Sequence, residues 1–361
     1  MGRNIRIQAL IMALLAALLA GCSNATNGAT NGQANGAPPP ASSTSAASGK
    51  GPEGGQEKVL TIGNVNDIIS FDAQNHSALV TEMLLVNFYN YLIVRDERQE
   101  LTPALAKSWE SIDDRTWRLH LRDDVVFHNG DPFTAEDVKF TIERAASDTT
   151  LKEYTYFKSI EQVKIVDPYT VDIISYEANP ILLNQLSRVG NGILPAKYIK
   201  EKGMDYFLQH PIGTGPYKLD KWIKDDRIEL VKNEQYFNGE PKWDRLVFRV
   251  IPEDSTRVSE LLTGGIDIAA SLSLLDTNRI EQADGVHLGI ESTQRVIQLG
   301  LKTSKGYPTG DPRVREAIDL AIDKQALIDT ILNGTGTPTR TRITAGTFSS
   351  VGKLYNTSLY D

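Results

Sequence analysis

The chain has 361 residues, with 46 acidic and 38 basic side chains, a formal net charge of −8 and a single cysteine. Nucleic-acid phosphates bind to clustered Lys and Arg, so this acidic balance argues against a nucleic-acid partner. One thiol excludes an intramolecular disulfide and every metal site that needs a Cys-x-x-Cys pair.

The N-terminus carries the pattern of an export signal. Arg3 and Arg6 form a short positive region, and residues 9–20 contain only Ala, Leu, Ile and Met. A run of about 12 apolar residues is too short to cross a hydrocarbon core of roughly 30 Å, which indicates a signal peptide over residues 1–21. Leu19-Ala20-Gly21-Cys22 resembles the lipobox of bacterial lipoproteins, which implies cleavage before Cys22 and lipidation of its thiol. An ordinary secretory signal is the weaker alternative, because it leaves the lone cysteine unexplained.

Residues 22–57 predict a flexible tether. They consist mainly of Asn, Gly, Ala, Thr, Ser and Pro, with no charged residue before Lys50. Such a tract buries too little apolar surface to offset its ordering entropy. We therefore expect the folded part to be lipid-anchored on the outer face of the cytoplasmic membrane, or on the periplasmic face of a membrane in a Gram-negative host.

Strand and helix patterns alternate from Lys58 onward, which predicts a mixed α/β chain. Period-two or short apolar runs predict strands at Val59–Ile62, Thr116–Leu121, Val163–Val166, Thr170–Ile174, Ile228–Val231, Leu246–Ile251, Gly265–Ala269 and Val296–Leu301. Helical spacing and capping residues predict helices at Thr81–Leu92, from the N-cap Thr134 to Arg144, after Asn179-Pro180, from Ser255 to Gly264, at Arg313–Ile322 and from Asp323 to Gly334.

No catalytic constellation is found in the sequence. The segment 213–218, GTGPYK, lacks the Gly-Lys-Ser/Thr ending of a phosphate loop, and Pro216 removes a backbone amide, so it predicts a tight turn before a strand. No Gly-x-Ser-x-Gly elbow is present. The histidines lack metal-ligand spacing, and each is better explained as structural or solvated: His76, His120, His128, His210 and His287. We therefore predict no enzymatic activity, no metal and no cofactor, which leaves binding.

Four sequence blocks, in order, carry a more specific signal. The first reads RTWRLHLR at 115–122 and VFHNGDPFTAEDV at 126–138. The others read PIGTGPY at 211–217, LLTGGIDI at 261–268, and DPRVREAI at 311–318 followed by Asp323-Lys324. Together these blocks resemble the family 5 extracellular solute-binding proteins, which serve ABC importers of oligopeptides, dipeptides, nickel and related solutes.

The resemblance implies a two-lobed α/β fold of the periplasmic-binding-protein type that closes about a hinge. The first lobe would comprise residues 58–97 and 209–298, with an extra inserted subdomain at 98–208 and the start of a second lobe at 299–361. Members of the family are substantially longer, so we expect a C-terminally truncated chain whose second lobe is incomplete.

The resemblance also implies candidate solute contacts. Family members line the cleft with the segment that follows the first strand, which here contains Ile69, Ser70 and Phe71. Gln298 and Gly300 would lie at the crossover strand near the hinge. Burial or turn formation explains each of these residues equally well.

We therefore expect a monomeric binding protein that passes peptides or similar small solutes to the permease of an ABC importer. Binding of nickel or another non-peptide solute is an alternative, as is a sensory or pheromone-receptor role on the same fold. A secreted hydrolase has the least support, because no nucleophile can be paired with a base.

Overall fold

A computed structural model describes residues 57–291, 293 and 295–339. The predicted signal peptide, Cys22, the tether except for Glu57, and residues 340–361 lie outside this description. The strands are β1 (Val59–Asn64), β2 (Ile93–Arg95), β3 (Leu101–Pro103), β4 (Ala106–Ser111), β5 (Thr116–Leu121), β6 (Ile160–Asp167), β7 (Thr170–Ser175), β8 (Tyr217–Ile223), β9 (Arg227–Lys232), β10 (Arg245–Val250) and β11 (Ile268–Ala269).

The α-helices alternate with these strands, as a mixed α/β chain predicts. They are α1 (Leu79–Leu85), α2 (Ala135–Ser147), α3 (Tyr154–Phe157), α4 (Leu182–Leu186), α5 (Ala196–Lys202), α6 (Met204–Gln209), α7 (Asp254–Thr263), α8 (Thr277–Glu281), α9 (Pro312–Ala321) and α10 (Lys324–Ile331). Within the described residues, no helix is both long and apolar enough to cross a membrane.

A mixed five-stranded sheet, in the order β11-β1-β10-β9-β8, forms the first part of the fold. Strand β1 is parallel to both β10 and β11, whereas β9 is antiparallel to β10 and to β8. Residues after β1 cover one face of this sheet, where Phe71, Leu84 and Phe88 are fully buried with Phe248 of β10 in one hydrophobic cluster.

A separate antiparallel sheet, in the order β4-β5-β7-β6, carries helix α2 and has its own core. Leu119, Val138, Ile142 and Ile173 are fully buried in this core. Ile212 packs against both hydrophobic clusters, so the chain segment before β8 is a junction between them. The division into a first lobe and an inserted subdomain remains a proposal.

Several predicted elements are confirmed where their signals are local. Helix α2 begins directly after its N-cap Thr134, whose backbone amide donates to the Asp137 carboxylate at 2.8 Å. Helix α7 ends at Gly264, which adopts a left-handed conformation with φ 76°. A side chain at this φ would be strained, which explains the glycine.

The predicted helix Thr81–Leu92 is wrong in its second half, since α1 ends at Leu85. The carbonyls of Asn87 and Phe88 instead accept hydrogen bonds from the amides of Tyr217 and Gly215, at 3.1 and 2.9 Å. These two carbonyls are therefore unavailable as acceptors for a further turn of the helix, because tertiary hydrogen bonds already use them.

The predicted strand Val296–Leu301 is also not observed. Residues 295–301 have no regular secondary structure, and no described strand pairs with them. Alternating apolar residues predict the shape of a strand, but the ladder also requires a neighbour with free backbone groups. The predicted strand Gly265–Ala269 is reduced to β11, for which Ile268 and Ala269 alone pair with β1.

Candidate functional site: the carboxyl edge of the parallel strands

The carboxyl ends of β1, β10 and β11 meet at one edge of the first sheet, at Asn64, Val250 and Ala269. Open α/β sheets bind ligands in the crevice outside such carboxyl ends. The Asn64 side chain is buried, and its Oδ1 has no hydrogen-bond partner among the described residues. We define the carboxyl edge as these three strand ends together with the segments 65–72, 251–254 and 270–273.

The segment after β1 presents an apolar and a polar side chain to the outside. Ile69 is 60% exposed, although its backbone amide is fixed by a 3.1 Å hydrogen bond to Thr81 Oγ1. The neighbouring Ser70 is partly buried, and its hydroxyl accepts from the amide of Asp72 at 3.0 Å. This part of the carboxyl edge is therefore exposed but held by its own hydrogen bonds.

Phe71 takes a different place from its two neighbours. Its ring is fully buried against Phe88 and Trp222, and its carbonyl accepts from the Tyr89 hydroxyl at 2.7 Å. Phe71 therefore supports the segment from beneath, and its side chain offers no surface to a solute in this structure.

Asp67 ties the same segment to the β8–β9 hairpin. Its Oδ2 accepts from Trp222 Nε1 at 3.0 Å and from the Asp225 amide at 2.9 Å, while Oδ1 accepts from the Ile68 amide at 2.7 Å. Three donors on one carboxylate, one of them an indole, fix the loop without using the exposed Ile69.

A buried ion pair fixes the far end of the segment. Arg144 of α2 donates to both carboxylate oxygens of Asp72, at 2.9 and 2.7 Å, and also to Gln74 Oε1 at 2.7 Å. The Gln74 side-chain amide donates in turn to the Thr141 carbonyl at 2.7 Å. These contacts join the segment after β1 to the helix that covers the second sheet.

Arg257 of α7 lies beneath the other two segments and is fully buried. Its guanidinium donates to the carbonyls of Ile251, Pro252 and Ser271, at 2.6, 2.8 and 3.0 Å, and it also pairs with the Asp254 carboxylate. One side chain therefore contacts the segment after β10, the start of α7 and the segment after β11.

His128 and the turn 213–215 form a second, partly buried junction. The amide of Gly213 donates to His128 Nδ1 at 3.0 Å, so Nε2 carries the proton and donates to the Gly215 carbonyl at 3.1 Å. Burial lowers the pKa of His128 to about 4, and the Gly215 hydrogen bond opposes that shift. The sequence interpretation of His128 as structural and of GTGPYK as a turn before a strand agrees with this geometry.

Gln298 and Gly300 do not join the carboxyl edge through hydrogen bonds. Both are exposed in the irregular segment 295–301, and among the described residues neither donates to nor accepts from the segment 65–72. Their predicted role at a hinge remains a prediction. Within the described part of the chain, no group of three or more His, Cys, Asp or Glu side chains has the arrangement of a metal site.

Sequence reasoning missed Arg257 and Asp67. A charged residue directly before Val258, on the helix face that becomes buried, was the available signal for Arg257. For Asp67 no signal existed, because its partner Trp222 lies 155 residues away along the chain.

Comparisons with known proteins agree with this architecture. The family model described as "Bacterial extracellular solute-binding proteins, family 5 Middle" matches residues 100–361. The glutathione-binding protein GsiB of Escherichia coli O1:K1 / APEC is 30% identical over 292 residues, which cover 78% of this chain and 55% of GsiB. The chain thus spans about half the length of the curated relatives that it matches.

Solved structures give the same result. NikZ from Campylobacter jejuni, in complex with Ni(L-His), matches with a TM-score of 0.66 and 29% identity over 77% of this chain and 56% of NikZ. DppA from Helicobacter pylori, an ABC transporter-associated periplasmic binding protein in complex with the peptide STSA, matches with a TM-score of 0.66 and 28% identity over 76% of this chain and 58% of DppA. The predicted periplasmic-binding-protein fold is confirmed, and the relatives are binding proteins rather than enzymes. The chain belongs to the family 5 bacterial extracellular solute-binding proteins.

Proposed function

We propose that this protein is the solute-binding component of an ABC importer and captures peptides or similar small solutes at the carboxyl edge. The observation that carries the proposal is the meeting of three parallel strand ends at one edge, beside the exposed Ile69 and the partly buried Ser70. Relatives named for glutathione and peptide binding favour a peptide-like solute.

The arrangement at this edge suits a peptide-like solute chemically. Ile69 offers apolar contact area, the Ser70 hydroxyl can donate a hydrogen bond, and exposed backbone of the segment can pair with a peptide main chain. The buried Oδ1 of Asn64 is an acceptor that the described fold leaves unused. Closure of a second surface over these groups would exclude water from them.

The proposal is tested by mass spectrometry of small molecules released from the protein after purification from its host under non-denaturing conditions. We expect a peptide or a peptide-like compound at about one equivalent. Calorimetric titration with glutathione, the dipeptide Met-Leu and a Ni–histidine complex then distinguishes peptide binding from nickel binding. Absence of every solute in both measurements would contradict the proposal.

A pair of exposed isoleucines provides the site-directed test. Ile69→Asp places a charge on the carboxyl edge and should weaken solute binding at least tenfold, because an apolar contact is lost and a carboxylate is desolvated. Ile112→Asp is the matched control, because Ile112 is 47% exposed in the turn between β4 and β5, on the other sheet. Equal effects of the two substitutions would place the binding surface elsewhere.

We further propose that the protein is anchored to a membrane through lipid on Cys22, with residues 22–57 as the tether. The support is the lipobox-like sequence before the only cysteine. Mass spectrometry of the N-terminal peptide should show residues 1–21 removed and a diacylglyceryl group on the thiol. Cys22→Ser should abolish both the diacylglyceryl modification and the cleavage, because the lipobox requires the cysteine. An unmodified Cys22 thiol in the membrane fraction of the parent protein would refute the anchor.

A further inference from the structure

Arg257 has more hydrogen-bond acceptors than helix α7 alone requires. Its Nη1 donates to the carbonyls of Ile251 and Pro252, and its Nη2 donates to the Ser271 carbonyl and pairs with Asp254. A guanidinium is costly to bury, and that cost is offset only when several acceptors match its planar fork. Three of these acceptors are backbone carbonyls, so the side chain fixes the path of the chain rather than another side chain.

The segment after β11 depends on this contact more than its neighbours do. Strand β11 pairs with β1 through only two residue pairs, Ile62 with Ile268 and Gly63 with Ala269. Directly beyond this short ladder, Ser271 has φ 54°, a left-handed conformation that is unfavourable for a residue other than glycine. The hydrogen bond from Arg257 to the Ser271 carbonyl holds the chain in that conformation.

The segment after β10 is fixed by the same side chain. Strand β10 pairs with β1 along its whole length, and the Ile251 amide continues that pairing to the Asn64 carbonyl at 2.8 Å. Arg257 then occupies the carbonyls of Ile251 and Pro252, where the chain turns into α7. A single buried cation therefore sets the spacing between two of the three segments of the carboxyl edge.

We propose that Arg257 is a positioning residue for solute binding. It holds segments 251–254 and 270–273 in the binding-competent conformation before a solute binds. This inference rests on the function proposed above. Preformed segments lose less conformational entropy on binding, so the hydrogen bonds of Arg257 should increase the affinity for the solute.

The first test is amide hydrogen exchange of the purified protein, followed by mass spectrometry. Arg257→Met keeps the stem and removes every donor, and it should accelerate exchange at 270–273 and 251–254 at least tenfold. Strands β8 and β9 should be unchanged. Arg257→Lys retains the charge and should restore part of the protection from exchange. If the Met variant folds poorly, the comparison of Arg257→Lys with the parent protein still tests the inference.

Arg249→Met is the matched control. Arg249 donates to Glu260 of the same helix at 2.8 Å and to the Gly265 carbonyl at 3.1 Å, but neither hydrogen bond reaches segment 251–254 or segment 270–273. It should leave exchange at 270–273 within twofold of the parent protein. Equal acceleration by both Met variants, or none at 270–273 in Arg257→Met, would overturn the inference.

The second test measures affinity with glutathione and Met-Leu as probes, at a temperature where every variant is folded by circular dichroism. For whichever probe the parent protein binds, Arg257→Met should lower the affinity at least tenfold. Arg257→Lys should lower it by less, and Arg249→Met should leave it unchanged. Faster exchange with unchanged affinity would overturn the positioning role. Failure of the parent protein to bind either probe would count against the proposed function, whereas the exchange result would still decide whether Arg257 fixes the two segments.

Discussion

Protonation of His128 should destabilise the folded protein as the pH falls below about 6.5. The neutral ring accepts from the Gly213 amide through Nδ1 and donates to the Gly215 carbonyl through Nε2. A protonated ring would direct an N–H at the Gly213 N–H, so one hydrogen bond would become a repulsive contact. Burial lowers the pKa of His128 from 6.5 to about 4 in the folded state.

The direction and size follow from this difference in pKa. Between pH 6.5 and 4 the unfolded chain binds the proton and the folded chain does not, so stability falls as the pH falls. A difference of 2.5 pKa units, the interval from 6.5 to about 4, corresponds to about 3 kcal/mol in total, of which about 2 kcal/mol is lost by pH 5. Because His128 is only partly buried, these values are upper bounds.

The assay is urea unfolding at pH 7.5, 6.0 and 5.0. His128→Asn keeps an acceptor for the Gly213 amide but does not titrate, so the stability gap between parent and variant should narrow by up to about 2 kcal/mol at pH 5. His287→Asn, at an exposed position, is the matched control and should follow the parent protein. If the free energy of unfolding changes with pH by the same amount in the parent protein and in His128→Asn, the reasoning is refuted. The pH dependence would then come from groups that both proteins contain, such as their carboxylates.

Three further substitutions, in a tight turn, an ion pair and a helix N-terminus, test the contribution of each contact to the free energy of unfolding in urea. Gly215→Ala should cost about 3 kcal/mol or more, because a Cβ there would lie 2.4 Å from the Phe88 carbonyl carbon, and an unchanged midpoint would show that the turn can move. Arg144→Met should cost about 3 kcal/mol by leaving Asp72 buried without its cation, and the double variant with Asp72→Asn should recover part of that loss if the pair is coupled. Asp137→Ala should cost about 2 kcal/mol, because its carboxylate accepts hydrogen bonds from two backbone amides at 2.8 Å, and a loss below about 0.5 kcal/mol would contradict this.

Local signals predicted the elements whose boundaries depend on neighbouring residues. Thr134 gave the start of α2, and the two short apolar runs at Val163–Val166 and Thr170–Ile174 gave β6 and β7. Gly264 gave the end of α7, and the structure shows it in the left-handed conformation that favours glycine. In each case the deciding hydrogen bond or backbone angle lies within a few residues of the signal.

Distant partners decided the elements that the sequence could not predict. Helix α1 ends early because amides more than a hundred residues later bind the carbonyls of Asn87 and Phe88. The candidate site shows the same limit. Ile69 and Ser70 were chosen by resemblance and lie at the strand edge, but the burial of Phe71 and the role of Arg257 required the packing of strands far apart in sequence.

Burial differs between the two ends of the described chain, and this bears on how a solute would be held. Residues up to β10 enclose two cores, whereas in the described residues 295–339 only Ile328 is buried. Ile297 is 84% exposed and Leu320 of α9 is 77% exposed, so the described residues supply no surface that covers these apolar side chains. The proposed closure around a solute needs two surfaces, and the carboxyl edge, held by the hydrogen bonds described above, would provide one of them. If a solute binds as proposed, the hydrogen bonds of Arg257 and Asp67 would therefore matter most before closure, because a preformed first surface reduces the ordering cost that the contacts made on closure have to overcome.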